Sequence, residues 1–373
     1  MAERPIPWWK TDLGEAEMAA VSRAIRERHV NTGPVCAELE RRLAELLEVP
    51  HVVVVTNGSQ ALLVALLASG VGPGDEVIVP ACTFIAGANA AALLGARARL
   101  VDVRPDRPLI DPAAVEAAMT DRTKVILAVH LNGRACDVPA LNALAKRRGA
   151  TVVEDCAQAL GSRSARGWLG TGGDLGTFSM GLTKLITTGE GGAVAVQDDA
   201  TYERLLRLRN QGVLKGENTF DRFGFNFKLT DIQAAVGVSQ MYRLPQRRAA
   251  VTRVYRFYEE RLADLDFARL IEVRVDDGEL PLWAEVLCAE RDKVAGLLID
   301  AGIRTAPYPP CLADSPHLDA AGDVPNAQAF CRGGLVLPCG THQSEKDLQR
   351  VVDALHDIAG EVRGRPGRGG GDA

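Results

Sequence analysis

Between about residues 50 and 200, short runs of β-branched and small apolar residues alternate with helix-length stretches rich in Ala and Leu. The runs are "HVVVVT", "DEVIVP", "ARARLVDV", "KVILAVH", "ATVVED", "LGTFSM" and "GGAVAV". They are apolar throughout, as strands covered on both faces are, and several are separated by enough chain for a crossover helix. One such helix, "SQALLVALLASG", starts directly after "HVVVVT" and the turn "NGS" and ends at Gly70. The pattern predicts an α/β fold with a mostly parallel central sheet flanked by helices.

After Arg209 the texture changes to a polar, Gly-bearing loop, "NQGVLKGENTFDRFGFNF", and then to the helical "LTDIQAAVGVSQMYRL". A long charged helix, "RRAAVTRVYRFYEERLADL", leads into alternating short strands and helices that end in "DLQRVVDALHDIAGEV". The expected division is a large domain over 1–245 and a smaller C-terminal α+β domain over 246–363. The last stretch, 364–373, carries no apolar pattern and is expected to be disordered.

The 373 residues exceed what one core comfortably serves, in keeping with two domains. A net charge of −5 offers no basic surplus for nucleic acid or an anionic membrane. Eight cysteines are scattered without C-x-x-C pairs or a cysteine–histidine cluster at metal spacing, so they read as reduced, small apolar residues and no metal is expected. The start "MAERPIPWWK" has no signal design and no run is long enough to span a bilayer, which makes the cytoplasm the expected location.

In open α/β sheets ligands sit beyond the carboxyl ends of the strands. After "HVVVVT" comes Asn57-Gly58-Ser59 at a helix start, where free N–H groups and the helix dipole favour a phosphate; alone, Ser59 is more often a plain N-cap. "ATVVED" ends in Glu154 and Asp155, with Gln158 close behind; a carboxylate there could hold a protonated ring nitrogen or cap a loop. "LGTFSM" delivers Ser179, a second phosphate ligand, and Lys184 follows after a short turn. Phe84, just past "DEVIVP", could stack on a flat ring or join the core.

Nucleotide and hydrolase motifs fail. "GTGGDLG" places Leu175 where a dinucleotide fingerprint needs its third glycine, and no phosphate-loop or G-x-S-x-G pattern occurs. A phosphate cradle, an aromatic, an acid and a lysine at neighbouring strand ends are together what pyridoxal 5'-phosphate (PLP) requires.

The segments "TNGSQALLVAL", "GPGDEVIVPACTFIAGANA", "VVEDCAQALGS", "FSMGLTKLITTGEGGAV" and "FGFNFKLTDIQAA" resemble the DegT/DnrJ/EryC1/StrS sugar aminotransferases, which have the PLP-dependent transferase fold type I. The resemblance runs from about Pro7 to Ile358. It implies that Lys184 forms the internal aldimine and shuttles a proton, Asp155 keeps the pyridine nitrogen protonated, and Gln158 bonds the phenolic oxygen. It further implies that Phe84 stacks on the ring and that Gly58, Ser59 and Ser179 bind the phosphate. Asn226 would reach the phosphate of a neighbouring subunit, giving a homodimer with shared sites. The implied reaction takes an amino group from L-glutamate or L-glutamine to a nucleotide-linked keto-6-deoxyhexose, 4-keto before 3-keto, in amino-sugar biosynthesis for a surface polysaccharide or secondary metabolite. Lys184 sets the chain apart from the dehydratase branch, which has histidine there.

Four departures concern the acceptor. Asn132 in "HLNG" replaces a tyrosine expected to lie toward the substrate, Gln211 replaces a common histidine and Lys228 a common arginine, and "YPPCLADSPH" follows the usual pattern only loosely. A keto-cyclitol acceptor is the runner-up. A non-catalytic PLP-fold regulatory protein and a lyase on the same fold are further alternatives.

Overall fold

The computed structural model describes residues 4–214, 216, 219–220, 222–318 and 322–362. The expected tail over 364–373 lies outside the described residues. Thirteen strands occur among the described residues: β1 (His51–Val55), β2 (Glu76–Pro80), β3 (Arg97–Val101), β4 (Thr123–Val129), β5 (Thr151–Asp155), β6 (Arg163–Ser164), β7 (Gly167–Trp168), β8 (Leu175–Ser179), β9 (Gly192–Val196), β10 (Ala268–Leu270), β11 (Ala284–Cys288), β12 (Ala306–Pro307) and β13 (Gly334–Leu337). The first six helices are α1 (Glu15–Arg26), α2 (Pro34–Leu47), α3 (Gly58–Ala68), α4 (Ala86–Leu93), α5 (Pro112–Ala118) and α6 (Val138–Arg148). The others are α7 (Asp199–Arg209), α8 (Asp231–Tyr242), α9 (Leu244–Arg261), α10 (Arg291–Asp300), α11 (Pro325–Gly333) and α12 (Glu345–Val362). None is long and apolar enough to cross a membrane.

Seven strands form the central sheet in the order β1-β9-β8-β5-β4-β2-β3. Only β9 runs against its neighbours, pairing antiparallel with both β1 and β8. The β-branched runs form these strands because helices cover both faces: Val53, Val54 and Val55 of β1 are fully buried, as are Val77, Ile78 and Val79 of β2. Burying each such side chain is worth about 1.5–3 kcal/mol relative to exposure. The register sets Val129 and Asp155, the last residues of β4 and β5, side by side, with Thr177 of β8 next to Asp155. The residues that follow, including His130, therefore emerge along one edge.

A second sheet, β10-β11-β13-β12, is antiparallel throughout and has its own core with α9, α10 and α12. Ile6 belongs to that core and bridges to Ile303, so the N-terminal residues, expected with the large domain, pack instead with the C-terminal part of the chain. The two parts are tied by a buried charge cluster. Arg134, after β4, is fully buried and pairs with Glu285 of β11 at 2.7 Å, and its other N–H groups donate to the carbonyls of Ile271 and Glu272. Removing one member of such a pair costs about 3–5 kcal/mol, because the other charge is left buried alone.

Candidate active site

The strand ends open onto a cavity of about 750 Å³. Gly58, Ser59, Phe84, Asp155, Gln158, Ser179 and Lys184 all line it, so seven of the eight residues expected from the sequence come together. Asn226, the eighth, is exposed, bridges to Asn210 and does not line this chain's cavity.

One end is built for an anion. Helix α3 begins there, and its cap is Asn57, whose Oδ1 accepts from the Gln60 amide at 2.9 Å. The reading of Ser59 as a plain N-cap is thereby corrected. Because Asn57 caps the helix, Ser59 lies in the first turn, exposed and lining the cavity, beside N–H groups that have no partner within the helix. Ser179 stands opposite Gly58, and a β-carbon on Gly58 would fall 2.7 Å from its Cβ.

The two carboxylates at the end of β5 have separate fates. Glu154 is buried, meets His130 Nε2 at 2.7 Å and accepts from the amides of Gly170, Gly172 and Gly173 at 2.6–2.9 Å. Burial pushes its pKa up, but His130 and these amides outweigh burial and hold it below the usual value. Although His130, Glu154 and Cys156 lie close enough together to suggest a metal, the Glu154 oxygens are already occupied by His130 and the loop amides, which makes Glu154 an anchor for the 170–173 loop. Asp155 instead borders the cavity with only 7% of its surface exposed. Burial raises its pKa, against the lowering effects of the Ala157 amide, Lys184 and His130. A buried carboxylate in that condition is stabilised by an added cationic partner.

Lys184 sits on the loop between β8 and β9, whose carbonyls are held from outside. The indole of Trp9 and the hydroxyl of Thr11 donate to Leu182 O, and the indole of Trp283 donates to Thr183 O. Burial lowers the Lys184 pKa to about 8, opposed by Asp155 and Glu190. An amine near 8 is neutral often enough at physiological pH to act as a nucleophile and base. Phe84 is 59% exposed and borders the cavity, so it is a free ring face and not core.

The chain matches the DegT/DnrJ/EryC1/StrS aminotransferase family over residues 11–356. The chain belongs to that family. A relative from Caulobacter vibrioides, GDP-perosamine synthase, is 38% identical over 338 residues, 88% of this chain and 91% of that protein. DesV of S. venezuelae, solved in complex with a ketimine intermediate, is 33% identical with a TM-score of 0.90, covering 96% of this chain and 99% of that one. Spr1654 of Streptococcus pneumoniae, named as a sugar aminotransferase and solved in a PLP form, is 27% identical with a TM-score of 0.90, covering 96% and 99%.

DegT/DnrJ/EryC1/StrS aminotransferases are PLP-dependent, and this chain is an enzyme of that class with the type I fold. The residues present fit the cofactor: a helix N-terminus for a phosphate, a free aromatic face, a buried carboxylate suited to a cation and an amine of lowered proton affinity. All eight cysteines are buried and free.

Three of the four departures read as substrate contacts lie away from this chain's cavity, whereas Tyr308 and Pro309, which open "YPPCLADSPH", line it. Asn132 is fully buried and does not line the cavity. Its backbone is left-handed (φ 53°, ψ 40°), a conformation asparagine tolerates better than tyrosine. Lys228 Nζ donates to Asn210 Oδ1 at 2.9 Å, and neither Lys228 nor Gln211 borders this chain's cavity. Sequence reasoning missed Trp8, His130, Trp283 and Glu285, which form part of the remaining wall. The Trp-Trp pair near the N-terminus was visible, but nothing local tied it to Lys184.

Proposed function

We propose that this chain holds PLP on Lys184 and transfers an amino group from L-glutamate or L-glutamine to a nucleotide-linked keto-6-deoxyhexose, the 4-keto form before the 3-keto. The observation that carries the reading is the meeting of the Lys184 amine and the buried Asp155 carboxylate in one cavity, between the open N-terminus of α3 and the bare ring of Phe84. When bound, PLP supplies an electron sink for the carbon that bears the amino group.

The chain's own residues do the rest. The first-turn amides at Gly58 and Ser59, with the Ser179 hydroxyl, bind the phosphate. Asp155 holds a proton on the ring nitrogen by Coulomb attraction across a buried contact. Gln158 is held in orientation by the Asn132 amide, which donates to its Oε1 at 2.8 Å, so its NH2 group remains to donate to the phenolic oxygen. Lys184 carries a proton between the substrate carbon and the cofactor.

The acceptor class is supported by the 38% identity to a relative named for a GDP-linked product. A cytoplasmic homodimer is part of the same reading, in which Asn226, exposed and outside its own cavity, would serve the neighbouring site. The experiment is amino transfer from L-glutamate or L-glutamine to nucleotide-linked 4-keto and 3-keto sugars, followed by mass spectrometry of the product. Transfer to a keto-cyclitol alone would overturn the acceptor assignment.

A further inference from the structure

The wall facing Lys184 is assembled from parts distant in sequence. Trp283, the residue before β11, lays its ring 5.3 Å from the Lys184 Nζ. Its indole N–H donates at 3.3 Å to Thr183 O, one residue before that lysine. Its backbone is pinned twice by a single side chain: Trp283 N donates to Asn132 Oδ1 at 2.7 Å, and Asn132 Nδ2 donates to Trp283 O at 3.0 Å. The main-chain N–H of the same Asn132 holds Gln158. Trp8 packs edge-on against Trp283 at 6.3 Å between ring centres and supports it from the N-terminal segment.

We propose that Trp283, pinned by Asn132, is a positioning residue that fixes the Lys184 amine in the cavity. The proposal rests on the PLP reading above and goes beyond it, because it assigns work to two residues outside the expected cofactor set. The left-handed backbone at Asn132 directs its N–H to Gln158 while its amide grips Trp283, so one buried residue ties the group facing the cofactor oxygen to the ring facing the lysine. A ring face favours an ammonium over a neutral amine. Trp283 therefore holds the amine by its charged form, alongside Asp155 and Glu190, whose charges also favour that form. His130, Glu285, already paired with Arg134, and Tyr308, whose hydroxyl donates to Glu285 at 2.7 Å, are the other ionisable groups on the cavity wall.

The direction of one titration separates this role from that of a simple wall. If Trp283 only excluded water, its removal would wet the amine and raise its proton affinity. If the ring holds the cation, removal lowers that affinity by about two- to five-fold. The measurement is the rate at which the cofactor-free full-length protein is captured by added PLP, followed by absorbance across pH, for wild type, Trp283→Leu, Trp283→Phe and Asn132→Gly.

The expected result is a midpoint shifted to lower pH in Trp283→Leu and, in part, in Asn132→Gly, with Trp283→Phe restoring most of the wild-type midpoint because it keeps a ring face. Asn132→Gly keeps the left-handed backbone and the bond to Gln158, so its shift isolates the two pins on Trp283. An unchanged midpoint, or one moved to higher pH, overturns the proposal while leaving the PLP reading intact. Failure of wild type itself to capture PLP overturns that reading and this inference with it. Circular dichroism of each variant identifies any that has not folded, and the remaining variants then decide.

Discussion

Gly58 faces Ser179 so closely that a β-carbon on residue 58 would fall 2.7 Å from Ser179 Cβ and 2.9 Å from its Oγ. Gly58 is not among the positive-φ glycines, so its smallness and not its backbone freedom is what the position uses. Gly58→Ala forces the start of α3 and the end of β8 apart, where the phosphate is to bind. Overpacking of this kind costs about 1–3 kcal/mol, so PLP affinity is expected to fall about ten-fold or more. Fluorescence titration of the cofactor-free protein measures it, and an unchanged affinity would move the phosphate site elsewhere.

The lowered proton affinity of Lys184 has a consequence for stability. Its folded value of about 8 lies below the ordinary 10.5, so between the two the unfolded chain binds more protons than the folded one and stability rises with pH. The cost of the charged amine is fully present below the folded value and relieved above the ordinary one. In cofactor-free protein, Lys184→Met should exceed wild type in urea midpoint at about pH 7, and the gap should narrow by about pH 10. Comparison with the variant cancels titration of the other groups. A gap that stays constant over that range contradicts the burial ascribed to the amine.

A shared site makes a prediction about mixtures. Lys184→Ala removes the amine, and Asn226→Ala removes the group proposed to reach the neighbouring phosphate. In a mixed dimer one site regains both residues, since the lysine comes from one protomer and the asparagine from its partner. Random assortment should then restore about a quarter of the native activity. Amino transfer before and after the two inactive proteins are unfolded and refolded together tests this. No recovery above either parent would place Asn226 outside the site.

Much of this site could be read along the chain because strand ends are local features. The valine runs inside "HVVVVT" and "ATVVED" are apolar because both faces of β1 and β5 are covered, and the polar residues that end or follow these strands fall at the ligand-binding edge. The reversal of β9 was not legible, because a buried antiparallel strand has the same uniformly apolar pattern as a parallel one. The role of Asn132 was misread for a similar reason. Its left-handed backbone and its contact with Trp283, 151 residues away, leave no mark on local periodicity, so a departure from the family's tyrosine looked like a substrate contact. Glu285 was missed because the fold alone brings the second sheet against the first.

The proposed function depends above all on Lys184 and Asp155 holding a PLP cofactor that accepts an amino group. The visible absorption spectrum of the purified protein, supplied with PLP and recorded before and after L-glutamate or L-glutamine is added without any acceptor, reads this out. A yellow band is expected that is absent in Lys184→Ala and bleaches in wild type when the donor arrives. No band in wild type, or a band unchanged by the donors and by loss of Lys184, would show that these two residues do not hold such a cofactor.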